Sequence, residues 1–170
     1  SQAYALVPED FVGVTPKVVV AEGQHVKAGE ALFVDKKRPE VKFVSPVSGT
    51  VAAVNRGARR KVMSIVVTPS AKQEAVEFGA KSVHSLSGEQ VKEMLLESGM
   101  FAFLRQRPYD VVANPDSTPK AIFVSAFDSK PLAPDFEYVI KGNEADFQAG
   151  LSALAKMAPT FLGVSSKQSC

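Results

Sequence analysis

Four glycines, Gly23, Gly29, Gly49 and Gly57, cut residues 17–67 into apolar runs of at most six residues. Runs that short, rich in valine and bounded by turn residues, read as β-strands. Lys17–Ala21 ends at Glu22-Gly23, and Val26 is followed by Ala28-Gly29. Ala31–Val34 runs into the polar tip Asp35-Lys36-Lys37-Arg38-Pro39, with Val41–Val44 as the return strand. Thr50–Val54 and Val62–Val67 flank Asn55-Arg56-Gly57 and stop at Pro69. Strands so closely spaced imply a compact barrel or sandwich. An offset of 34 residues lays Val20-Ala21-Glu22-Gly23 on Val54-Asn55-Arg56-Gly57, an internal repeat whose two halves would pack face to face.

Composition excludes several classes. With 45% hydrophobic and 22% charged residues, the 170-residue chain is globular and able to bury a core. Its longest apolar stretches, such as Val18-Val19-Val20-Ala21, fall far short of the roughly 20 residues of a membrane span. A net charge of +2 is too small to argue for nucleic acid or an anionic membrane as a partner. That charge is uneven: residues 1–70 hold ten Lys and Arg against six Asp and Glu, and residues 71–170 hold ten against twelve. The one cysteine, Cys170, excludes an internal disulfide framework and a cysteine metal site. Neither an initiating Met nor a signal pattern opens the chain, the expectation for a processed or truncated polypeptide.

The pattern Glu22-Gly23-x-x-Val26-x-x-Gly29-Glu30-x-Leu32, then Asp35-Lys36, then Ser45-Pro46-x-x-Gly49-x-Val51, resembles biotinyl and lipoyl carrier domains, which carry a modified lysine on a hairpin tip. Carrier domains place more residues between the second glycine and that lysine. Here Lys36, Lys37 and Arg38 also run together, so the fold is read as shared and the modification as absent.

Past Pro69 a polar segment connects to a helix opened by Ser87-Gly88-Glu89-Gln90, a capping box with Ser87 at the N-cap. Val91, Met94 and Leu95 share its apolar face, Gly99 stops it, and Phe101–Arg105 continues as a helical turn. Asn114 to Pro119 forms a tight loop, with Asp116 and Ser117 expected to cap it through their side chains. The run 121–126 predicts a buried, parallel strand. Asp128 then lies at the strand's C-terminal end, where open α/β sheets bind ligands. Asn143 is expected to cap a second helix whose stripe is Phe147, Leu151, Leu154 and Ala158, and Phe161–Val164 begins another strand.

Longer motifs carry a specific resemblance. Asp35-Lys36-Lys37-x-Pro39-x-Val41-Lys42-Phe43-x-x-Pro46-x-Ser48-Gly49-Thr50-Val51, Ser98-Gly99-x-Phe101-x-x-Leu104-Arg105-x-Arg107-Pro108, Asp116-Ser117-Thr118-Pro119-x-Ala121-Ile122-Phe123-Val124 and Glu144-Ala145-Asp146-Phe147 are similar to the A-subunit family of the Na+-translocating NADH:quinone oxidoreductases. The match runs through roughly residues 7–157. The resemblance implies a mixed α/β chain: a barrel-sandwich hybrid β module over 1–70, a connection over 71–86, and part of a Rossmann-like α/β domain over 87–170. Family members continue on both sides of this stretch, so the chain is read as a fragment. A more distant similarity joins the family to the flavin-binding subunit of respiratory complex I, whose glycine-rich loop holds a flavin phosphate. Here Ser98–Arg105 keeps one glycine and places Phe101 and Phe103 in that space.

The resemblance further implies a peripheral subunit on the cytoplasmic face of the bacterial inner membrane. It would support assembly and quinone reduction without a redox cofactor of its own, while NADH and flavins bind other subunits. The isolated chain is not expected to be catalytic. Alternatives are a lipoyl or biotin carrier and a flavin- or nucleotide-binding domain. Candidate contacts to a partner subunit or a quinone are Lys36, Lys37, Arg38, Arg105, Arg107, Asp116 and Asp128. His25 is read as exposed and His84 as structural, and no metal constellation or hydrolase motif accompanies them.

Overall fold

The computed structural model describes residues 2–79 and 81–166; Cys170 lies outside them. The chain divides into two compact units, residues 1–79 with 93–117 and residues 80–92 with 118–170. By contacts, residues 93–117 group with the first unit, so this division falls inside a helix.

The first unit is built from β1 (Tyr4–Leu6), β2 (Pro16–Val18), β3 (His25–Val26), β4 (Ala31–Asp35), β5 (Lys42–Val44), β6 (Gly49–Arg56), β7 (Val62–Pro69), β8 (Arg105–Gln106) and β9 (Val111–Val112). One antiparallel sheet has the order β1-β7-β6-β3, a second β2-β4-β5, and β8 pairs with β9 as a hairpin. Val51 in β6 and Ile65 and Val67 in β7 are buried, while Thr50 and Ala52 face out, the period-2 pattern of a half-buried strand. β4 departs from it. Leu32, Phe33 and Val34 are all buried, so this strand has core on both faces.

Phe33 and Phe43 stack at 4.4 Å between ring centroids, and Phe11 meets Phe43 edge-on at 4.6 Å. Burying a side chain of this size contributes about 1.5–3 kcal/mol. Gly49 lets β6 and β7 close, because a Cβ there would stand 2.0 Å from the Thr68 carbonyl oxygen. Segment 70–79, read as a connection, is fastened to the β module. Gln73 Oε1 accepts from Ser48 N–H at 2.9 Å, Ser48 Oγ accepts from Glu74 N–H at 2.9 Å, and Ala28 bridges Ala75.

The internal repeat holds as contact rather than as equivalence. Gly23 takes a left-handed turn (φ 82°) whereas Gly57 is extended (φ −94°, ψ −159°). The two segments meet directly: Val54 N–H donates to Glu22 Oε1 at 2.8 Å, and Gly23 N–H to the Val51 carbonyl at 2.8 Å.

Helix α1 (Gly88–Glu97) carries the expected capping box: Gln90 N–H donates to Ser87 Oγ at 3.3 Å, and Ser87 N–H to Gln90 Oε1 at 2.9 Å. Gly99 follows in the left-handed region (φ 77°); the extra turn is a 3-10 helix over Met100–Phe103, so the turn expected over 101–105 ends early and Arg105 lies in β8.

In the second unit, β10 (Ile122–Ser125) and β11 (Thr160–Gly163) pair in parallel, joined through α2 (Phe136–Ile140) and α3 (Glu144–Met157). A parallel pair requires such a crossover. Three expectations change here. β10 is not buried: Phe123 is 78% exposed and stacks at 5.4 Å on the half-exposed Phe161. Asn143 makes no side-chain cap; Glu144 instead accepts from Gly142 N–H at 3.0 Å. In the α3 stripe Phe147, Leu151 and Leu154 are only half-buried, with Phe147 edge-on to Phe136 at 5.3 Å. Helix α2, capped by Asp135 accepting from Glu137 N–H at 2.9 Å, is too short to show a period in sequence.

Candidate functional site

The β4–β5 turn carries three of the candidate cations, and the structure separates them. Lys36 and Lys37 are exposed. Arg38 is turned inward: its Nε donates to Asp35 Oδ2 at 3.0 Å and its Nη1 to the Ala113 carbonyl at 3.3 Å. Asp35, expected at a solvated tip, is wholly buried and also accepts from the N–H groups of Thr15 and Lys37, each at 3.2 Å. A buried carboxylate needs such partners, since desolvation without them is costly. Arg38 is therefore a joint between this turn and the segment after β9.

The β8–β9 hairpin and the residues after it bring other candidates to the same unit. Arg105 Nη1 donates to the Asp110 carbonyl at 3.2 Å and Nη2 to the Asp10 carbonyl at 3.4 Å; its ion pair with Asp110 is 3.5 Å long. Arg107 and Tyr109 beside it are exposed. Asp116 is exposed and does not cap its turn through its side chain. Asn114 Oδ1 accepts from Asp116 N–H at 3.1 Å, while Ser117 Oγ donates to the Asn114 carbonyl at 2.7 Å. The Asn114 side chain, one position before the proline, reaches the backbone two residues on, the geometry of an Asx turn.

Gly99 stands at the carbonyl end of α1, and a Cβ there would lie 2.5 Å from Val44 Cγ1. Phe101 is 3% exposed, so this segment is packed against β5 rather than open. Phe103, expected beside it, is instead 67% exposed and meets Phe11 edge-on at 6.2 Å.

Asp128 belongs to the second unit, past the C-terminal end of β10. Its Oδ1 accepts from Lys130 N–H at 3.0 Å and its Oδ2 stands 3.8 Å from Lys130 Nζ. Ser125, Phe127, Asp128, Lys130 and Phe136 line an open cleft of about 490 Å³. Ser125 Oγ donates to the Phe127 carbonyl at 2.9 Å, so the cleft presents aromatic surface beside the exposed Lys130 ammonium. The sequence singled out Asp128; Phe136 and Lys130 come to it through the 130–136 loop.

His25 and His84 are exposed, and the backbone carbonyl of His84 accepts from Lys156 Nζ at 3.4 Å. Among the described residues no group of three or more His, Cys, Asp and Glu side chains could hold a metal ion. No helix among them is long and apolar enough to cross a membrane.

A glycine-turned β module followed by an α/β module with a parallel crossover defines a two-module chain of the barrel-sandwich-hybrid class. Residues 1–70 match the family model described as NqrA N-terminal barrel-sandwich hybrid domain, and residues 86–170 that of the NqrA second alpha/beta domain. The chain belongs to the NqrA family. It is 45% identical over 160 residues to the A-subunit of the Na(+)-translocating NADH-quinone reductase of Serratia proteamaculans, covering 92% of this chain and 36% of that one. The same-named proteins of Pseudomonas aeruginosa and Actinobacillus pleuropneumoniae are 40% and 43% identical, over 95% and 90% of this chain and 37% and 34% of theirs. The chain thus spans about a third of the length of these relatives.

Proposed function

We propose that this chain is part of a peripheral subunit of a Na+-translocating NADH:quinone oxidoreductase, supporting assembly and quinone reduction on the cytoplasmic face of the bacterial inner membrane. The observation that carries the reading is the 40–45% identity, over 90–95% of the chain, to proteins bearing that name. Other subunits are its partners and hold the flavins and the NADH site; this chain holds no redox cofactor of its own and is not catalytic alone. Exposed Lys36, Lys37 and Arg107 are offered as partner contacts on the first unit. The cleft beside Asp128 is offered as the quinone-facing element of the second, where Lys130 and Ser125 lie beside the aromatic rings.

The test is a photo-reactive quinone cross-linked to the assembled complex, with labelled peptides mapped. Label on the peptide spanning residues 125–136 supports a quinone contact here. Label confined to other subunits reduces this chain to a scaffold. An absorbance spectrum of the purified chain separates the flavin alternative, because a bound flavin would colour it.

A further inference from the structure

We propose that residues 70–79 form a clasp on the β module: a segment that opens and closes as one unit while the two sheets stay intact, with the Gln73 side chain as its catch.

The β module changes sheet at two neighbouring turns. Residues 27–30 lead from β3 in one sheet to β4 in the other, and residues 45–48 lead from β5 back to β6. The turns pair with each other, Gly29 N–H donating to the Ser45 carbonyl and Ser45 N–H to the Glu30 carbonyl, each at 2.8 Å. Residues 70–76 lie across both. Ala28 N–H donates to the Glu74 carbonyl at 2.9 Å and Val76 N–H to the Ala28 carbonyl at 2.8 Å, a short parallel bridge onto the first turn. On the second turn the Gln73 amide copies a strand: Oε1 accepts from Ser48 N–H at 2.9 Å, and Nε2 donates to the Ser48 carbonyl at 3.1 Å. Ser48 Oγ completes the hold, accepting from Glu74 N–H at 2.9 Å and donating to the Lys72 carbonyl at 3.3 Å. Ser48 is wholly buried, and each of its polar atoms bonds to residues 70–74.

The hold is polar more than apolar. Val76 and Phe78 are half-buried, the Phe78 ring standing 3.3 Å from where a Gly29 Cβ would be, while residues 71–75, Glu77 and Gly79 are exposed. By contrast β6 and β7 bury Val51, Ile65 and Val67. A segment with few apolar contacts and exposed backbone opens at a lower free energy than the core beside it. The Lys27–Glu74 ion pair, 3.9 Å long between half-exposed side chains, adds little. Gln73 grips one peptide group through both of its polar atoms, and so fixes the register in which Lys72 and Glu74 meet Ser48 Oγ and Glu74 meets Ala28.

Amide hydrogen exchange of the 170-residue chain, read residue by residue by NMR, tests this. In wild type the Ala28, Glu74 and Val76 amides should exchange together and be less protected than those of Gly29 and Ser45. Their exchange should depend little on denaturant, because a local opening exposes little surface. Gln73→Ala should speed these three amides about tenfold, from two lost hydrogen bonds, although Gln73 bonds to none of them. Gly29 and Ser45 should be unchanged.

Equal protection of the three amides and of Gly29 and Ser45 in wild type overturns the inference, since the segment would then open only with the module. So does a Gln73→Ala effect confined to the Ser48 amide, which would make Gln73 a local cap. An equal acceleration of Gly29 and Ser45, or a Gln73→Ala chain that fails to fold, overturns it as well, because a catch can be lost without the module it closes.

Discussion

The Arg38 guanidinium donates from Nε to Oδ2 of Asp35 at 3.0 Å, with the carboxylate fully buried and the guanidinium one-fifth exposed. Through Nη1 the same guanidinium reaches the Ala113 carbonyl, so one side chain links residues 75 positions apart. Removing one partner of a buried pair leaves the other uncompensated. Arg38→Met is expected to destabilise the first unit by about 3 kcal/mol in urea unfolding. A loss below about 1 kcal/mol would mean that the Thr15 and Lys37 N–H groups satisfy Asp35 by themselves.

Gly99 combines a left-handed backbone with a neighbour that leaves no room for a side chain. Gly99→Ala should cost about 1 kcal/mol for the backbone and a further 1–3 kcal/mol for overpacking against Val44. A Val44→Ala background should return the packing part and leave the backbone part. Strict additivity in that double-mutant cycle would show that the Val44 contact is not the cause.

Gly142 N–H, and then the backbone N–H of Glu144 itself, hold the Glu144 carboxyl below the ordinary glutamate range, against a smaller opposing effect of burial. A carboxyl depressed in the folded state contributes stability above its unfolded pKa, and that contribution fades as pH falls through the lowered folded value. The stability difference between wild type and Glu144→Gln is therefore expected at neutral pH and should vanish in acid, below the ordinary range. Denaturation at a series of pH values reads it; a difference that grows in acid would reverse the sign and refute the assignment.

Lys36 is exposed on the β4–β5 turn, the place where a carrier domain would bear its modified lysine. Intact mass of the chain isolated from its host is expected to show no lipoyl or biotinyl adduct. The same exposure predicts that Lys36→Glu with Lys37→Glu weakens assembly with partner subunits while leaving the thermal midpoint of the chain unchanged. Normal assembly of that variant would remove these lysines from the interface.

Much of the β module was legible because its signals are local. Glycine turns and valine runs located every strand from β4 to β7 to within three residues, and Ser87 with Gln90 formed the capping box they spell out. The short pieces were not legible. β1, the β8–β9 hairpin and α2 have two to five residues each, too few to show a period, and they form because neighbouring elements complete their hydrogen bonds. Among the seven candidate site residues, Arg105 was read at the end of a helical turn, Asp116 as a turn cap and the other five as charges outside helices and strands. Arg38, Arg105 and Asp128 turned out to have protein partners of their own, while Lys36, Lys37, Arg107 and Asp116 are exposed.

The sequence by itself determined the longer strands and helices, the turns between them and which family the motifs resemble, since each depends on neighbours within a few positions. Only the tertiary structure decided that Asp35 lies inside rather than at a solvated tip, that residues 93–117 return to the β module, and that Phe123 stands in solvent. Burial depends on what packs against a residue, and those neighbours come from distant parts of the chain: Asp35 meets Thr15, and Arg38 meets Ala113. A charged residue reads the same in sequence whether it faces water or closes a core.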